Sequence, residues 1–106
     1  MKVSVKNIFS QSTAFAVGEE FLTLLENSGI KIERIVSHSH ASPADFWYDQ
    51  DGDEWVMVMR GAATLEFAGG ELIEMTAGDY LTIPRHLKHR VARTSEETIW
   101  LAVRLK

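Results

Sequence analysis

From Ile30 to the C-terminus, hydrophobic and polar positions alternate with a period of two. In Ile30–His40 the positions Ile30, Ile32, Arg34, Val36, His38 and His40 share one face. Lys31, Glu33, Ile35, Ser37 and Ser39 share the other. Short apolar runs follow at 54–59, 62–67, 71–75, 80–83, 89–93 and 98–104, separated by glycine turns and by Pro84. Many short strands broken in this way predict a sandwich or barrel. Upstream, Gly18–Ser28 groups Phe21, Leu22, Leu24 and Leu25, with Glu19 and Glu20 in the first turn and Gly29 after the last. That pattern predicts one short amphipathic helix. Residues 41–53 read as a loop from their Ser-Pro and Asp-Gly content, yet Phe46-Trp47-Tyr48 is too aromatic to stay solvated, and Phe46 and Trp47 are expected to be buried.

A chain of 106 residues has room for one domain, and 45% apolar residues can fill one core. The expected organisation is a single domain over 1–106, with its core at about 30–105 and an N-terminal strand and helix in 1–29. The net charge of −4 supplies no basic field, which argues against nucleic acid or an anionic membrane as partner. With no cysteine, disulfides and thiolate metal sites are excluded. Neither a signal peptide nor a membrane-length apolar run is evident. A soluble, cytoplasmic protein is expected.

Two stretches carry the candidate chemistry. Glu54 precedes Gly61 by the six residues Trp55–Arg60, and Gly78-Asp79-Tyr80-Leu81-Thr82-Ile83-Pro84 leads to His89. This arrangement resembles the two motifs of the cupins: a His-x-His, a Glu six residues before a Gly, and later a Gly five residues before a Pro, with a His beyond. The likeness covers residues 30–105. The blocks Ala41-Ser42-Pro43, Phe46–Gln50 and Glu54-Trp55-Val56 are similar to those of a subgroup of small cupins. The resemblance implies an all-β fold, a double-stranded β-helix or jelly-roll barrel, with a divalent transition metal (Mn, Fe, Ni or Zn) inside it. Carried over by position, the metal ligands are His38, His40, Glu54 and His89.

The first motif departs from the family's spacing. Three or four residues separate its second His from the Glu, whereas thirteen, Ala41 to Asp53, separate His40 from Glu54. Either the loop is inserted and His38 and His40 still reach the site, or Tyr48 and Gln50 occupy the ligand slots. Imidazoles and a carboxylate converging in a barrel suit a divalent ion with open positions. The plainer alternative is that Glu54 is the satisfied end of a strand, paired with Arg34 or Arg93. Arg93, taken as inward-facing, is a candidate to hold a substrate carboxylate, with a salt bridge to Glu54 or Asp79 as the plainer reading. Two functions follow: a metal-dependent enzyme on a small polar metabolite, or a metal-free binding or sensing domain lined by Trp47, Tyr48 and Arg93, with Tyr48, Gln50 and Arg93 as the candidate substrate-binding residues. Finally, Trp55, Met57 and Met59 share the face opposite Glu54, Val56 and Val58. Such an apolar outer face predicts a cover, either the helix or a second copy of the chain in a homodimer.

Overall fold

The computed structural model describes residues 2–10 and 18–106. Among these residues eight strands follow one another: β1 (Gly18–Glu26), β2 (Ile30–His38), β3 (Glu54–Arg60), β4 (Ala62–Phe67), β5 (Leu72–Thr76), β6 (Tyr80–Ile83), β7 (His89–Thr94) and β8 (Thr98–Leu105). They form a five-stranded sheet of order β1-β2-β8-β3-β6 and a three-stranded sheet of order β5-β4-β7, and every pairing is antiparallel. The two inner faces enclose the core of Val56, Val58, Leu65, Phe67, Met75, Ile83, Val91 and Trp100. This is the jelly-roll barrel the period-two pattern predicts.

The expected helix over 18–28 is replaced by β1. Asn27 closes a tight turn: its side-chain oxygen accepts from the N–H of Gly29 and of Ile30, and its own N–H donates to the Ile30 carbonyl. Gly29 therefore serves a hairpin and not a helix end. Pairing along nearly the whole of β2 satisfies the backbone of both strands, and this tertiary pairing overrides the local helical pattern of the leucines. An extra residue, Leu24, bulges between Thr23 and Leu25. That bulge breaks the alternation and makes the apolar run look helical.

Register decides which face of β2 is internal. Glu33, Ile35 and Ser37 lie opposite Ala102, Trp100 and Thr98, and Trp100 is a core residue. The barrel face of β2 is thus the one bearing Lys31, Glu33, Ile35 and Ser37. His38 lies with Arg34 and Val36 on the outer face. Part of that outer face is covered by the N-terminal segment: Arg34 donates to the carbonyls of Ile8 and Ser10, and the Arg60 guanidinium sits 4.6 Å from the centre of the Phe9 ring.

Residues 41–53 are stitched to β7 at two points. The Ser42 N–H donates to the Val91 carbonyl, and the Ser42 hydroxyl oxygen accepts from the Val91 N–H. Further along, Tyr48 and His89 exchange both backbone hydrogen bonds, at 2.7 and 3.1 Å. Trp47 is half-buried, but Phe46 is 41% exposed, so the expected burial of both aromatics holds only in part. Phe46 spends its covered edge on the Tyr48 ring, 4.7 Å away in a T-shaped contact.

Candidate functional site

One end of the barrel opens into a pocket. Alternation along the strands places Glu54 and Val56 from β3, Trp100 and Arg104 from β8, Ile83 from β6, His89 and Val91 from β7, and Glu19 and Phe21 from β1 on its wall. Tyr48 and Gln50 reach it from the loop.

Glu54 and His89 face each other there, with Oε1 and Nε2 3.9 Å apart and both side chains buried. The His89 Nδ1–H donates to the Leu87 carbonyl at 3.0 Å. A carbonyl oxygen can only accept, so the hydrogen sits on Nδ1, and in the neutral ring Nε2 offers its lone pair toward Glu54. The imidazole is also fixed in plane: the Tyr48 ring stacks on it at 5.4 Å and the Phe67 ring lies at 6.0 Å. Glu54 is in turn gripped by Arg104, whose Nε donates to Oε2 at 3.3 Å while lying 3.5 Å from Glu33. Burial nonetheless pushes the Glu54 carboxyl above its ordinary value, against the lowering effects of Arg104 and His89. Tyr48 is likewise raised by burial and then by the Glu19 charge, which keeps it a neutral phenol.

The remaining sequence candidates divide. Gln50 lines the cavity, its side-chain oxygen buried without a hydrogen-bond partner among the described residues. His38 lies on the outer face, 3.8 Å from Glu20, because of the register of β2. His40 follows Ser39, whose φ of 48° turns the chain, and lies 3.5 Å from Glu19 at the rim. Arg93 is not inward: one extra residue, Ala92, bulges between Val91 and Arg93, reverses the alternation of β7, and leaves the side chain 72% exposed beside Glu74. Two wall residues escaped the sequence reading. Arg104 continues the inward series Thr98, Trp100, Ala102, a signal that was present. Glu19 was hidden inside the expected helix.

Tyr48, Gln50 and Glu54, the last separated from Gln50 by three residues, reproduce the first-motif spacing of cupins with Tyr-x-Gln in place of His-x-His. As a transition-metal centre this donor set does not fit. One imidazole and one carboxylate remain, the carboxylate is already bound by a guanidinium, and phenol and amide are poor ligands for such ions. Among the described residues, no three His, Asp or Glu side chains converge as a metal site requires.

Comparison with known proteins agrees with this architecture. The cupin domain family matches residues 30–104. A structure of a candidate mannose-6-phosphate isomerase from Ralstonia eutropha is similar at 46% identity and a TM-score of 0.91, covering 97% of this chain and 98% of that one. A cupin superfamily protein from Desulfitobacterium hafniense (17% identity, TM-score 0.76, 89% and 83% covered) shares the fold. So does a conserved protein of unknown function from Streptococcus pyogenes (16%, 0.79, 100% and 90%). No curated protein matches in sequence. With a family match over most of its length and a jelly-roll barrel of eight described strands, the chain belongs to the cupin domain family.

Proposed function

We propose that the barrel binds a small polar metabolite without a metal, and that Glu54 and His89 move a proton between its atoms. The juxtaposition of the two side chains at 3.9 Å carries this reading, since a carboxyl and an imidazole lone pair facing one cavity can take a proton from carbon and serve an adjacent oxygen. Tyr48 is a neutral donor for a carbonyl oxygen, and Arg104 fixes the orientation of the Glu54 carboxylate. The chemistry is that of isomerising a hydroxy-carbonyl compound, and the similarity to a candidate mannose-6-phosphate isomerase supports that reaction class. The absence of a fitting ligand set sets this reading apart from a metal-dependent enzyme.

The test is exchange of the proton next to the carbonyl in small aldoses and ketoses, followed by NMR in deuterium oxide with protein stripped by a chelator. Stripped wild-type protein is expected to catalyse exchange, with losses of at least about 100-fold in Glu54→Gln and His89→Asn. Exchange that appears only when Mn, Fe, Ni or Zn ions are restored restores the metal-dependent reading. Binding with no exchange under either condition makes the chain a binding module.

A further inference from the structure

We propose that Glu19 is a ligand-recognising carboxylate, and that the cavity selects small molecules presenting hydrogen-bond donors, hydroxyl or ammonium, while turning away phosphate esters and carboxylates. The proposal rests on the reading of the barrel as a small-molecule site and concerns which molecules enter it.

The charges on the wall are unequal. Glu19 and Glu54 are the acidic groups, and Arg104 is the one Lys or Arg lining the cavity among the described residues. Arg104 is already engaged, with Glu54 at 3.3 Å and Glu33 at 3.5 Å. The other arginines near β7 are spent elsewhere: Arg90 on Glu66 and the Ser42 carbonyl, Arg93 beside Glu74 at the surface. Residues 11–17, Gln-Ser-Thr-Ala-Phe-Ala-Val, contain no Lys or Arg. An entering phosphate would therefore meet two carboxylates, and the charge of the one guanidinium on the wall is already offset by Glu54 and Glu33 on its Nε side.

Glu19 is built to stay in place. Its Oε2 accepts from the Ser37 hydroxyl at 2.9 Å, and that hydroxyl oxygen accepts from the buried Trp100 indole N–H at 3.1 Å. The His40 Nε2 lies 3.5 Å from Oε1. This chain of bonds runs from the core to the rim and fixes a carboxylate whose remaining lone pairs are acceptors for a ligand's donors. A side chain that served only to solubilise the edge of β1 would have no use for a buried serine and an indole behind it.

Titration calorimetry on the whole chain with mannose, mannosamine and mannose 6-phosphate tests the proposal, because the three share a ring and differ in charge. The expected order has mannose 6-phosphate at least tenfold weaker than mannose. Mannosamine tighter than mannose assigns the donor as ammonium, and equal affinities assign it as hydroxyl. In Glu19→Gln, mannosamine or mannose should weaken about tenfold and the gap to the phosphate ester should narrow. Mannose 6-phosphate binding as well as mannose or better overturns the proposal while leaving the barrel as a binding site. An absence of heat with all three sugars, in protein whose melting is intact, overturns the binding-site reading and the proposal with it. The ranking in wild-type protein stands whether or not the variant folds.

Discussion

Glu54 sits where opposing forces meet: burial raises its carboxyl, while Arg104 and His89 pull it back. A carboxyl raised in the folded state keeps its proton at a pH where the unfolded chain has released it. Its contribution is therefore full below the ordinary value of 4.5 and is lost as pH rises through the folded value. The stability difference between Glu54→Gln and wild type should accordingly move in favour of the variant as pH climbs from 4.5, a trend readable by urea melts at several pH values. A difference that is flat across this range would remove the raised carboxyl from the account. Gly61 offers a second residue-scale test. Its φ is +87°, and a Cβ there would collide with the Glu97 carbonyl oxygen and the Ser95 hydroxyl. Gly61→Ala should cost about 2–3 kcal/mol in urea melts, from strain and collision together, with an effect within 0.5 kcal/mol counting against it. Glu54, Gly61 and His89 were legible in the sequence because motif spacing is local. The inward side of Arg104 was legible from alternation, but its partner Glu54, 50 residues away, was not, and Glu19 was hidden because its partner Ser37, 18 residues away, depends on register.

At the scale of elements, the seven strands from β2 onward follow from alternation and glycine turns, whereas β1 did not. A run of Phe21, Leu22, Leu24 and Leu25 satisfies a helical period and a bulged strand equally well, and only the pairing partner chooses. Arg93 was misplaced for the same reason, because one bulged residue reverses every later side chain. Similarly, the loop over 41–53 behaves as a strap: its composition marks a turn-rich connection, but Ser42 and Tyr48 pin it to β7 and deliver Tyr48 and Gln50 to the cavity. Replacing Ser42 by Ala leaves the buried Val91 N–H without its acceptor, at a cost of about 1–3 kcal/mol. Limited proteolysis should then cleave Ser42→Ala between Pro43 and Trp47 several-fold faster than wild type. Equal cleavage rates would show that Tyr48 alone holds the strap.

For the whole molecule, the outstanding matter is the apolar surface outside the barrel. Trp55, Met57, Leu101, Val103 and Ile32 point away from the core and are only half-buried, and the helix that was expected to cover them is a strand. That strand adds to the exposed surface: Leu22, Leu24 and Leu25 are 42–55% exposed on β1, the edge of the five-stranded sheet. The radius of gyration is 14.0 Å, against about 13 Å expected of a compact chain this long, consistent with a hairpin that stands out from the barrel. Such an apolar cluster on an exposed strand is a liability unless covered. A second copy packed sheet against sheet about a two-fold axis would bring the outer faces of both five-stranded sheets, with the leucines of β1, under cover. We therefore predict a homodimer. Light scattering at micromolar concentration should give about 24 kDa, twice the 12.0 kDa chain, and Leu22→Lys combined with Trp55→Glu should bring it to that of one chain. The double variant tests the surface as well as the count: a dimer that survives it is built elsewhere. A wild-type mass near 12.0 kDa would defeat the prediction and assign the cover to the chain's own N-terminal segment, which Arg34 and Arg60 already hold against that face.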